Sequence, residues 1–118
     1  MTDAISTFFD AWAMQDAGAQ FGAIAGCLTP DASDADPRRE NPVTGPTAIA
    51  EYVAMFSQSA PGAVAEVTKS DTRAGVTRAT IAFKMPNGME QAGQYFIETD
   101  DAGQITRMVG FVGTGAPE

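Results

Sequence analysis

Histidine is absent from the 118 residues, and cysteine occurs once, at Cys27. No internal disulfide can form, no imidazole is present to activate a thiol, and the usual nitrogen and sulfur ligands of transition metals are missing. Cys27 therefore reads as a small buried hydrophobe, because free cysteine is among the most buried residue types. Basic residues are also scarce: seven Lys and Arg stand against 15 Asp and Glu, a formal net charge of −8. Apart from Arg38-Arg39 the cations are scattered singly, so there is no footprint for a phosphate backbone and nucleic acid is excluded as a partner. No run approaches the roughly 20 apolar residues of a membrane span. The opening Met-Thr-Asp-Ala lacks a basic segment followed by an apolar one. The expectations are no membrane partner, no metal, no cofactor and a cytoplasmic setting.

Apolar material is plentiful, at 44% of residues with only 19% charged, which suits one packed domain over residues 1–118. Ile5, Phe8, Phe9 and Trp12 fall at i, i+3, i+4 and i+7, predicting a first helix over about 3–16. Ala17-Gly18 breaks it, and Phe21, Ile24, Ala25 and Leu28 repeat the spacing in a short second helix. Thr29 to Gly45 carries three prolines among Asp, Ser and Asn, a composition for loop. Gly45-Pro46 then starts a third helix over about 46–59, with Ile49, Tyr52, Val53 and Phe56 on one face. After Pro61-Gly62 the period changes to two. Strands are expected from Val64 to Ser70, Val76 to Met85, Met89 to Thr99 and Gln104 to Val112, joined by Gly-containing turns, with a frayed tail from Gly113. Helices followed by four consecutive strands do not alternate, so the class is α+β, with N-terminal helices covering one face of a strongly bent antiparallel sheet.

The order of elements and several strings resemble the nuclear transport factor 2-like superfamily, which includes SnoaL-like polyketide cyclases and ketosteroid isomerase. The strings are the first helix ending at Asp16, Pro30-Asp31 through Asp36-Pro37, Gly45-Pro46-Thr47-Ala48-Ile49, Tyr95-Phe96 before Asp-Asp-Ala-Gly, and Met108-Val109-Gly110-Phe111-Val112-Gly113. The resemblance implies a cone-shaped, cystatin-like α+β barrel whose pocket lies between helices and concave sheet, commonly in a homodimer paired through the outer sheet face. It also places Asp36 where ketosteroid isomerase has its general-base aspartate. Abstracting a proton beside a carbonyl needs that base plus donors aimed at the developing enolate oxygen, which in that enzyme are a tyrosine and a protonated aspartic acid. Here Phe8 or Phe9 stands at the tyrosine's place, and Gln94 at about the acid's, leaving the oxyanion hole incomplete.

The implied activity is isomerisation or cyclisation of a small apolar carbonyl compound, with Asp36 and Gln94 as catalytic pair. Phe8, Phe9, Trp12, Tyr52, Phe56, Phe96, Arg107 and Phe111 are the expected pocket lining. Plainer readings stand beside these. Asp36 before a proline also makes a turn, and Gln94 also suits a solvated sheet edge. Phe8, Phe9 and Trp12 also make ordinary core, and Tyr52 has either a backbone carbonyl or the pocket for its hydroxyl. Alternation puts Arg107 on one face with Ile105, Val109 and Phe111, either at an interface with an acid or as an anion anchor. The alternative function is a non-catalytic ligand-binding or dimerisation domain, to be preferred if the side chains of Asp36 and Gln94 diverge or if the interior is solid.

Overall fold

The structure is a computed structural model that describes residues 3–37 and 40–113. Asp3 caps the first helix, its Oδ1 accepting from the Ser6 amide at 2.8 Å. That helix, α1, spans Ala4–Asp10 and tightens into a 3-10 turn over Ala11–Ala13. It is shorter than the periodicity predicts, because Asp16 does not end it. Asp16 instead caps α2 (Ala17–Gly26), accepting from the Ala19 amide at 2.7 Å, and Gly18 lies within that helix rather than breaking it. Phe21 is 44% exposed, and the buried face of α2 carries Gln20 and Ile24. The third helix, α3, is Pro46–Ser59, begun by Gly45 at φ +92° with Pro46 in its first turn, as the sequence predicts.

The segment read as loop holds two strands, β1 (Leu28–Ala35) and β2 (Val43–Thr44). The four predicted strands are present as β3 (Val64–Arg73), β4 (Val76–Lys84), β5 (Glu90–Thr99) and β6 (Ile105–Val112). They join one curved, unclosed sheet in the order β2-β1-β6-β5-β4-β3. The sheet is not wholly antiparallel, since β1 runs parallel to β6. Pro30, without an N–H, sits where the β1–β6 register shifts. The tail expectation for residues 114–118 falls outside the described residues, as do Arg38 and Arg39.

Helices α1 and α3 rest on β3 and β1 respectively, closing a core that includes Phe8, Phe9, Ile24, Ile49, Val53, Ile81, Ile97, Ile105 and Met108. No helix among the described residues is long and apolar enough to cross a membrane. The β3–β4 hairpin turns through Ala74 at φ +53° and Gly75 at φ +80°, a geometry that suits Asn-Gly. Ala74→Asn is expected to raise the unfolding free energy by about 0.5–1 kcal/mol in urea titration. No gain would mean that the turn carries no strain.

Cys27 is buried, its Sγ–H donating to the Ile24 carbonyl at 3.1 Å. Burial pushes its thiol up from 9.0 to about 11, the backbone hydrogen bond offsetting part of this. Below the lower value the thiol is protonated in both folded and unfolded chains. Above it the unfolded chain loses the proton first, so stability falls as pH rises from about 9 towards 11. Native protein at pH 8 is expected to resist a disulfide-exchange reagent and to react fully in urea. Comparable labelling rates in the two states would show Cys27 to be accessible.

Candidate active site

Strand alternation along β1 turns Ala32, Asp34 and Asp36 inward, at 0%, 1% and 2% exposure. Two carboxylates thus project from one strand and its end into the apolar interior, where an ionised group is costly unless it is well hydrogen-bonded. From β5, Tyr95 donates its hydroxyl to Oδ2 of Asp36 at 2.9 Å, a contact buried throughout. A tyrosine hydroxyl on a carboxylate is a charge-assisted bond when the acid is ionised, and either partner can hand on the proton.

The Tyr95 ring is the end of a continuous aromatic cluster. It meets Phe9 edge-on at 5.3 Å and Phe83 at 6.3 Å between centroids. Phe83 in turn packs on Trp12 at 5.4 Å and on Phe56 at 6.1 Å. The 3-10 turn that carries Trp12 is tied down from two helices. Gln20 donates to the Ala11 carbonyl at 3.0 Å and to the Ser57 hydroxyl at 2.9 Å, and Ser57 donates to the Trp12 carbonyl at 3.0 Å. Trp12 also lines a surface cleft of about 250 Å³ with Gln15, Gln20, Ser57 and Pro61, a cleft that does not include Asp36.

Several expected site residues are placed differently. Gln94 faces outward, lining a depression with Lys69, Asp71, Arg78 and Thr80 on the opposite side of the sheet from Asp36. The two side chains diverge, because a one-residue offset in a strand changes its face and the inward position belongs to Tyr95. Phe96 and Phe111 also face outward, 37% and 54% exposed, with their rings edge-to-face at 5.7 Å. They line no interior pocket. Arg107 shares that outer face and contacts Glu98 at 3.3 Å, both side chains about half exposed, so it is no anion anchor in the interior. Ile105 lies on the other face, because Thr106 is an extra residue in the ladder, with Glu98 opposite Arg107 and Thr99 opposite Ile105. Phe8, Phe9 and Trp12 are interior as expected, and Tyr52 and Phe56 pack partly buried against the core.

Sequence reasoning missed Tyr95 and Asp34. Counting inward positions back from the Asp-Asp-Ala-Gly turn with Ile97 as core identifies Tyr95. The alternation Ala32, Asp34, Asp36 was the available signal for Asp34, overridden by the prolines around it. Among the described residues no three His, Cys, Asp or Glu side chains group as a metal site.

No protein-family model matches the chain, and no curated protein matches it. Solved structures do. A provisionally named isomerase of the SnoaL-like family from Agrobacterium tumefaciens superposes with TM-score 0.83 at 20% identity, covering 94% of this chain and 95% of that one. A provisionally named polyketide cyclase from Sinorhizobium meliloti gives 0.70 at 24% identity over 94% and 95%. A ketosteroid isomerase-like fold protein from Catenulispora acidiphila, in complex with trimethylamine, gives 0.74 at 14% identity over 92% and 83%. The chain accordingly has the nuclear transport factor 2-like fold that SnoaL-like and ketosteroid isomerase-like proteins share.

Proposed function

We propose that this protein is a SnoaL-like enzyme that moves a proton beside the carbonyl of a small, mostly apolar compound, in the cytoplasm and without a cofactor. The divergence of Asp36 and Gln94 counts against that pair and towards the non-catalytic domain; the enzyme reading rests instead on a different pair, with Asp36 as the base and Tyr95 as the donor to the carbonyl oxygen. The observation that carries this reading is the buried 2.9 Å contact between the Tyr95 hydroxyl and Asp36. A base and a donor already within hydrogen-bond distance can address adjacent atoms of one ligand. The ligand oxygen takes over the Tyr95 hydrogen bond as negative charge develops on it, and the freed carboxylate accepts the proton from the neighbouring carbon. Return of that proton to another carbon is an isomerisation, and attack of the enolate on a second carbonyl closes a ring. The names of the Agrobacterium and Sinorhizobium neighbours agree with this class of chemistry.

Deuterium incorporation into cyclohexanone and acetophenone in D₂O, followed by mass spectrometry, tests the base. Asp36→Asn is expected to slow enzyme-dependent incorporation about 100-fold or more, and Tyr95→Phe roughly 100-fold. Exchange that persists unchanged in Asp36→Asn removes the assignment.

A second reading is favoured by the outer face, where Phe96 and Phe111 sit exposed beside Val109 and Gln94. An aromatic pair left in water on the outer face of a sheet suits a self-complementary interface. We propose that two copies pair there as a homodimer. Light scattering is expected to report a dimer for the native chain and a monomer for Phe111→Glu; a native monomer at micromolar concentration rules this out.

A further inference from the structure

Strand order places β6 between β5 and β1, so Tyr95 and Asp36 do not belong to neighbouring strands. Adjacent strands lie about 4.8 Å apart, and the side chains must therefore span roughly 10 Å between backbones. The phenol does so by lying across β6 at Gly110, the residue directly opposite Tyr95. A Cβ built on Gly110 would fall 2.6 Å from Cε2 and 2.9 Å from Cζ of Tyr95, and 2.7 Å from Cδ of Pro37. The space a side chain would need is thus shared by the ring that carries the hydroxyl and by the proline that follows Asp36. Gly110 is not among the residues with positive φ, so backbone freedom is not the reason for glycine here. The reason is the missing side chain.

We infer that Gly110 is a positioning residue: the slot at its Cα lets the Tyr95 phenol cross β6 and reach Asp36, and a larger residue there parts hydroxyl from carboxylate while both remain present. Its catalytic meaning rests on the reading of Asp36 and Tyr95 given above, whereas its geometry does not. Gly93 supplies a like-for-like control. A Cβ there would meet the Phe111 carbonyl oxygen at 2.9 Å, a somewhat milder clash but one with backbone, and would lie 3.8 Å from the Tyr95 ring, an ordinary contact.

The chain has two tyrosines, so in a Tyr52→Phe background any slowly exchanging tyrosine hydroxyl proton seen by NMR belongs to Tyr95. That resonance is expected in the background protein, retained with Gly93→Ala and lost with Gly110→Ala. Its survival in Gly110→Ala overturns the inference, and so does its loss in both variants, which would report general loosening. Should Gly110→Ala unfold too readily for NMR, Tm values decide. The substitution is expected to lower Tm by roughly 10 °C in the native chain and by clearly less beside Tyr95→Ala, where the ring is gone and only Pro37 is left to collide with. Equal losses in the two backgrounds overturn it. The outcomes separate from those of the deuterium experiment: if Asp36→Asn leaves exchange untouched but the resonance behaves as stated, the chemistry fails and the positioning stands.

Discussion

A carboxylate taken out of water has to be supplied with donors by the protein, and Asp36 draws one of them from a strand two places away in the sheet. The 2.9 Å bond from Tyr95 therefore imposes conditions on several elements at once. The first strand must run beside β6, so that its end faces the interior rather than the rim. Tyr95 must have the inward parity of β5, between Gly93 and Ile97. The strand in between must present no side chain at the crossing point. The parallel β1–β6 pairing, the inward tyrosine and Gly110 meet these conditions together, and altering any one of them changes the other two's contribution.

The same parity gives the outer surface its character. When Tyr95 and Ile97 turn inward, Gln94 and Phe96 turn outward, and the bulge at Thr106 puts Arg107, Val109 and Phe111 beside them. The crossing of Tyr95 over Gly110 on the inside and the Phe96–Phe111 pair on the outside are thus two faces of one pair of strands. Ion pairs of Arg107 with Glu98 and Arg78 with Asp71 flank the outer face, and being about half exposed they add little to stability and more to solubility.

Much of this was legible from residue order alone where the signal was local. Gly45-Pro46 set the start of α3, and the change from period 3.6 to two located β3 through β6 because each pairs with its neighbour in sequence. Where pairing was non-local the reading failed. The longer pairing of β1 is with β6, more than 70 residues later, and Pro30 and Pro37 give the segment the composition of a loop, which hides the inward alternation of Asp34 and Asp36. Gln94 and Tyr95 are one residue apart, and in a strand that is the difference between outside and inside. Nothing local marks Thr106 as an extra residue, so plain alternation puts Arg107 and Ile105 on one face where the ladder separates them.

The aromatic residues on α1 give the last step. Phe8 and Phe9 cannot donate a hydrogen bond, so on the proposed reading the donor comes from the sheet, and in the resting protein it rests on the base itself. A ligand then gains access to Asp36 only by drawing the Tyr95 hydroxyl away, at a cost of about 1–3 kcal/mol if nothing replaces the bond. A carbonyl oxygen replaces it and a plain hydrocarbon does not. The Phe9 and Phe83 rings that pack on Tyr95 are apolar and do not by themselves distinguish the two. The transfer of one hydrogen bond discriminates between them, and the base is released only when a group able to stabilise an enolate is already in place.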